Sequence, residues 1–236
     1  MESNIGNTTR IKIYSIHFNR PDFIGIQIDS FKRFVKNEFD FLVVNNSCDS
    51  NIEKTCEDLQ ICCINLNNKD LNPSESHSLG LNELKKFIKN DGNIHVILDH
   101  DMFIIEDIDF FDYMGDKSIM FIEQKREELT YMWPGLIVIN SNLCPNLQDL
   151  DFSFGIFEGI RCDSGGQSYK YLRENSNLNR KTPSETVETD DINDLNSFFF
   201  VYDRKFLHYF RGSNWVNMED KILSKKNNRL KKIIYE

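Results

Sequence analysis

The 236-residue sequence has no apolar run approaching the roughly 18 residues that a membrane-spanning helix needs. Its opening stretch, MESNIGNTTR, has no apolar core of the kind a secretory leader carries. Together these absences predict a soluble cytoplasmic protein, in a host's cytoplasm if the source is a virus. Basic residues are also in short supply, with 28 Lys and Arg against 37 Asp and Glu and a net charge of −9. A chain balanced this way argues against nucleic acid as a partner, because binding phosphates needs clustered cations. Six cysteines occur at 48, 56, 62, 63, 144 and 162, and no two are spaced as CxxC. A zinc site or disulfide framework is therefore not supported, and Cys62-Cys63, inside an apolar run, read as small buried hydrophobes.

What is present suits one domain over residues 1–236: 40% hydrophobic residues with 19 Phe are ample for a core. The one basic cluster, Lys221, Lys225, Lys226, Arg229, Lys231 and Lys232, lies in a predicted last helix over about 217–236. Its first reading is a solvated helix face, and its second a peripheral contact with an anionic membrane surface.

Ile11 to Phe18 and Phe39 to Val44 read as strands with a helix between them over Phe23 to Lys36, and Ile61 to Leu66 as a third strand. That order begins an α/β sheet, whose ligands gather outside the carboxyl ends of the strands. Two such ends carry polar clusters, His17-Phe18-Asn19-Arg20 and Asn45-Asn46-Ser47. Asn72 to Leu84 opens a helix running to about Lys89, with Ser74 or Ser76 as its cap. Its free N–H groups and partial positive charge suit a diphosphate. Ser118 to Glu123 is a further strand, and Met132-Trp133-Pro134-Gly135 leads into another at Leu136 to Asn140. Asp163-Ser164 reads as the start of a helix through Tyr169 and Leu172, residues 174–196 as a polar surface loop or flap, and Phe198 to Tyr202 as the last strand.

The most informative stretch is Ile94 to Ile105, IHVILDHDMFII. Read as one buried strand, it alternates its side chains, so Asp99 and Asp101 share a side and His100 faces the other. Two carboxylates at the end of a buried strand repel each other and lose hydration unless a cation neutralises them. A divalent metal held by one or two carboxylates, with substrate phosphates completing its shell, is the simplest remedy.

This DHD triplet resembles the DxD motif of the GT-A glycosyltransferases, and the order of elements over roughly residues 10 to 216 is similar to theirs. The resemblance implies an α/β, Rossmann-like mixed sheet flanked by helices. It also implies metal-dependent transfer of a sugar from a UDP- or GDP-linked donor to a hydroxyl of a glycan or other acceptor, with inversion, or with retention by front-side transfer if no base is positioned. Mn²⁺ or Mg²⁺ would be held by Asp99 and Asp101, with His208 of LHYFRGSNW as a third ligand. The positions carried over to donor binding are His17, Asn19, Arg20, Asn45, Asn46, His77, Gly80, Asn82, Asp99, His100, Arg211, Ser213 and Asn214. Asn45 or Asn46 stands where an acid is commoner. On the acceptor side stand Trp133, Pro134, Gly135, Gly165 and Gly166, with Trp133 as a stacking face or a core residue. Asp163 is the candidate catalytic base, a plain N-cap being its other reading. Two further functions compete. A nucleotidyltransferase would need a basic, glycine-rich phosphate loop after the first strand, and Asn19-Arg20-Pro21 is not one. A non-catalytic carbohydrate- or nucleotide-binding module of the same fold would keep the site without turnover.

Overall fold

The first apolar run forms β1 (Ile11–His17), buried along nearly its whole length as befits a strand covered on both faces. The structure is a computed structural model that describes residues 10–47, 49–66, 68, 70–190, 192, 194–210 and 219–236. After β1, α1 (Pro21–Phe34) starts on a proline, whose missing N–H would have had no helical partner there. Then come β2 (Phe39–Asn45), α2 (Ser50–Asp58), β3 (Cys62–Asn65), α3 (Pro73–Lys85) and β4 (Ile94–Asp99). Helix α2 is absent from the sequence reading. Only Ile52 and Cys56 of its residues are buried, so its apolar stripe is too thin to register.

The chain continues with β5 (Met102–Ile104), α4 (Phe110–Met114), β6 (Ile119–Arg126), β7 (Leu129–Asn140), β8 (Gly155–Phe157), β9 (Ile160–Cys162), α5 (Ser168–Glu174), β10 (Arg180–Lys181), β11 (Glu185–Glu188), β12 (Phe199–Tyr202), β13 (Phe206–His208) and α6 (Asp220–Tyr235). Seven strands form the main sheet in the order β10-β6-β7-β4-β1-β2-β3. Pairs β1–β2, β1–β4, β2–β3 and β10–β6 are parallel, while β7 runs antiparallel to both its neighbours. The predicted α/β architecture, a mixed sheet flanked by helices, is the one the chain adopts. A second, antiparallel sheet has the order β11-β12-β13-β5. Helix α1 lies between the two: Phe31 packs with the main sheet, whereas Phe23 and Ile26 pack with Phe103, Val201 and Leu207 of the second sheet and Leu230 and Ile234 of α6.

Four predicted elements differ. The Ile94–Ile105 run is two strands in two sheets, because the chain turns at His100-Asp101 and β5 pairs with β13. Gln27 stabilises that turn by donating through Nε2 to the carbonyls of Asp99, at 3.0 Å, and Met102, at 2.8 Å. The strict alternation expected of one strand therefore does not govern Asp99 and Asp101. Trp133-Pro134-Gly135 is not a lead-in turn but a bulge within β7, where Phe121 faces Ile137 and the next residue, Ile122, already faces Trp133. Asp163 does not start a helix: Gly165 takes a φ of +88°, which ends helical continuity, and α5 begins at Ser168. Within 174–196, β10 and β11 pair with β6 and β12 as polar edge strands.

The basic cluster on α6 is partly spent within the chain. Arg229 pairs with Glu188 and Asp190, Lys225 pairs with Asp190, and buried Lys226 donates to the Phe210 carbonyl at 2.6 Å. No helix among the described residues is long and apolar enough to cross a membrane.

Candidate functional site

The carboxyl ends of β1, β2 and β4, the first turns of α3 and the 163–164 turn enclose a cavity of about 490 Å³. Its walls are Ile16, Phe18, Asn46, Pro73, Ser74, Ser76, His77, Asp99, His100, Asp163 and Ser164. Helix α3 is capped by Asn72, whose Oδ1 accepts from Glu75 N at 3.0 Å, rather than by Ser74 or Ser76. With Asn72 as the cap and Pro73 opening the helix, both serines and His77 fall in its first turns, beside the cavity.

His77 bridges two walls. Its Nε2 lies 2.8 Å from Asp99 Oδ1 and its Nδ1 lies 2.9 Å from Ser164 Oγ. Burial works against charge on this imidazole, but Asp99 beside it outweighs that and raises its pKa above the ordinary value. Beneath the cavity, burial, seconded by nearby His100, lowers His17 to about 3, so this ring is neutral. His17 Nε2 sits 3.0 Å from Ser15 Oγ and 3.2 Å from Gln27 Oε1, as a structural member of the sheet end.

Asp101 is 3% exposed, and its Oδ2 stands 3.6 Å from His208 Nε2. Burial raises this carboxyl, but the imidazole of His208 beside it outweighs that and holds its pKa below the usual carboxylate range. Its Oδ1 is buried without a hydrogen-bond partner among the described residues. Among the described residues, no three His, Cys, Asp or Glu side chains converge as a ready metal cage. Mg²⁺ does not require one, since it is usually held through one or two carboxylates and substrate phosphates, and Mn²⁺ takes the same oxygen donors. A carboxyl with one unpartnered oxygen among the described residues and an imidazole beside the other offers the kind of oxygen donor that such an ion takes.

The other predicted positions fall in several places. Asn46 and His100 line the cavity, and Gly80 packs beneath Asn46: a Cβ there would come within 3.3 Å of Asn46 Oδ1. Asn45 is engaged in its own turn, accepting from Ser47 N and Oγ and donating to Asn65 Oδ1. Asn82 holds the loop before β8, donating to Ser153 Oγ and accepting from Phe152 N. Asn19 is exposed in a left-handed turn, whereas Arg20 is buried, paired with Asp22 and stacked 3.4 Å above the Phe23 ring. Trp133 lies against His208, with ring centroids 5.0 Å apart, and over Gly135. Gly165 and Pro134 pack together, and Gly166 sits on Cys162, so these residues shape the turn that carries Asp163 and Ser164. Asp163 accepts through Oδ2 from Arg126 at 2.8 Å. Arg211, Ser213 and Asn214 lie outside the described residues.

Three residues of the site were missed in the sequence. Ser164 adjoins the singled-out Asp163 and was within reach. Gln27 on α1 and Asn68 before α3 carry no local signal, because they act only through partners distant in the chain.

No protein-family model and no curated protein matches the sequence. Solved glycosyltransferases are similar to it in structure. The mannosyltransferase PcManGT of Pyrobaculum calidifontis, solved with GDP-Man and Mn²⁺, is 12% identical with a TM-score of 0.49. That match covers 74% of this chain and 54% of PcManGT, so the chain spans about half the length of that enzyme. Mouse xyloside xylosyltransferase 1 is 12% identical over 74% of this chain and 84% of its own, with a TM-score of 0.44. The galactosyltransferase LgtC, solved with donor and acceptor sugar analogues, is 13% identical over 73% of this chain and 72% of its own, with a TM-score of 0.42.

Proposed function

We propose that this chain is a metal-dependent glycosyltransferase that moves a sugar from a nucleotide-diphosphate donor to an acceptor hydroxyl with inversion. One observation carries the reading: Asp101, a carboxyl only 3% exposed, has an oxygen with no hydrogen-bond partner among the described residues, and it follows His100, which lines the cavity together with Asp99. A buried charge left this way is costly unless a cation completes it. Asp99, Asp101 and His208 are the residues that would hold Mn²⁺ or Mg²⁺. When bound, such an ion supplies Lewis-acid stabilisation of the charge that develops on a departing diphosphate.

The chain's own residues supply the remainder. His77 holds the Asp99 side chain and ties it to the 163–164 turn through Ser164. Asp163, anchored through Oδ2 to Arg126 and lining the cavity, serves as the base that takes the proton from the acceptor hydroxyl. Trp133 packs beside His208 and fixes the imidazole.

A thermal-shift panel of nucleotide sugars, with and without Mn²⁺, tests the reading in the wild type and in Asp101→Asn. A donor present at a hundred times its Kd stabilises by about 2.7 kcal/mol. That gain is expected only with Mn²⁺ and only in the wild type. A shift in Asp101→Asn equal to that of the wild type would refute the metal assignment. Binding with no sugar transfer to any acceptor and no donor hydrolysis would instead favour a non-catalytic module.

A further inference from the structure

Gln27 is a fully buried polar residue in the middle of α1, between the buried apolar residues Ile26 and Ile28. A buried amide costs free energy unless its polar atoms find partners. Those of Gln27 do. Its Nε2 donates to the carbonyls of Asp99, at 3.0 Å, and Met102, at 2.8 Å, and its Oε1 lies 3.2 Å from His17 Nε2. A carbonyl can only accept, so the atom set between the two carbonyls is the nitrogen and the amide cannot be turned the other way. Oε1 then accepts from the His17 ring, whose neutral form carries its proton on that nitrogen.

The two carbonyls flank His100 and Asp101, so one side chain spans the whole turn from β4 to β5. Two backbone bonds also hold this turn: His100 N donates to the Ile16 carbonyl at 3.0 Å, and Tyr209 N donates to the Asp101 carbonyl at 2.8 Å. Those bonds join main chain to main chain and survive most substitutions, whereas the Gln27 bonds depend on a single amide. One helical turn on, Ser30 Oγ accepts from Ile104 N at 3.3 Å, so the same face of α1 also holds β5. This polar pair on α1 fixes where the chain leaves one sheet and enters the other, and with it the place of the Asp99 and Asp101 side chains.

We infer that Gln27 is a positioning residue for the metal that Asp99 and Asp101 would hold: by closing the turn between them it sets the spacing of the two carboxyl groups, acting through them rather than as a ligand. This rests on the metal reading above and assigns part of it to a residue outside the cavity wall. Loss of a group that orients a metal ligand typically costs on the order of ten- to a hundredfold in affinity.

The substitution Gln27→Met keeps the length and volume of the side chain and removes both donors. Mn²⁺ affinity is measured by titrating MnCl₂ and reading the electron paramagnetic resonance signal of the free ion, with urea unfolding in EDTA measured alongside. Gln27→Met is expected to weaken Mn²⁺ binding by on the order of ten- to a hundredfold. Ile28→Ala, on the same helix but in a separate apolar cluster with Val43, Ile52 and Cys56, should lower the urea midpoint and leave the affinity at the wild-type value. Wild-type affinity in Gln27→Met, or an equal loss in Ile28→Ala, overturns the inference and leaves the metal reading standing. A wild type that does not bind Mn²⁺ overturns both. Should Gln27→Met not fold, Gln27→Glu takes its place. A carboxylic acid there offers one donor at most, so an affinity below that of the wild type is expected and an unchanged one overturns the inference.

Discussion

Gly165 illustrates how closely single residues constrain the site. It holds a φ of +88°, and a Cβ there would lie 2.5 Å from the Met132 carbonyl oxygen, a backbone atom that cannot swing aside. Gly165→Ala is expected to destabilise by about 1 to 3 kcal/mol, read as a lowered urea midpoint, through strain and overpacking. Asp163 is a second residue-scale case. Asp163→Asn keeps size and most hydrogen bonding but cannot take up a proton, so donor binding should persist while transfer falls on the order of 10²- to 10⁴-fold. Near-normal transfer, or a product of retained anomeric configuration by NMR, removes Asp163 from the role. At the opposite end of the sheet, Asp91 accepts from Lys12 Nζ at 2.6 Å and from Asn93 N at 3.1 Å. Burial raises this carboxyl, but those bonds outweigh it and hold its pKa below the usual range. A carboxylate with a depressed folded pKa contributes stability that is present above its unfolded value of about 3.9 and is lost as pH falls through the folded one. Asp91→Asn should therefore cost about 1 kcal/mol at neutral pH, the group being partly solvated. The difference between variant and wild type should shrink in acid, and urea melts at several pH values measure it.

Among the elements, α6 is two-faced: Lys221, Lys225, Lys231 and Lys232 lie on an exposed face, while Leu230 and Ile234 are fully buried against α1 and the second sheet. Arg33 also donates to the Ile234 carbonyl at 2.6 Å, pinning its last turn. Leu230→Ala is expected to cost about 2 to 5 kcal/mol of unfolding free energy, as buried leucines do when a cavity remains. Neutralising Lys225, whose exposed side chain pairs with Asp190, should cost far less, since surface ion pairs are worth about 0 to 1 kcal/mol. A small loss at Leu230 would mean that α6 is dispensable to the core. Strand β7 makes a related point: its bulge at Trp133-Pro134-Gly135 sets Trp133 against His208 and Pro134 under Gly165. One irregularity thereby positions both the imidazole and the turn that carries Asp163.

At the scale of the whole molecule, the two sheets share α1, and β4 runs through a two-residue turn into β5 of the other sheet. Neither sheet can lose its packing without exposing the apolar face of α1, so one cooperative transition is expected, coincident by tryptophan fluorescence and far-UV circular dichroism. Two separated transitions would show that the second sheet melts on its own. Much of this plan is legible in the residues alone. The β-branched run of β1, the helical spacing of Phe23, Ile26, Ile28 and Phe31, and the acid pair at the end of β4 all declare themselves through local pattern. Local pattern does not register where a chain changes sheets, because residues 94–105 are apolar on both sides of the turn and only pairing with β13 separates them. The site follows the same division. Asp99, Asp101, His77, His208 and Asn46 are recognisable as residue types at strand and helix ends. The contact of His77 with Asp99, 22 positions on, and with Ser164, 87 positions on, depends on long-range packing. So does the hydrogen bond that Asn68 Nδ2 donates to Asn46 Oδ1, 22 positions away. The sequence by itself determined the elements and the chemical groups available, since both follow from near neighbours. Tertiary structure alone decided which groups meet, because hydrogen-bond partners are chosen in space and not along the chain.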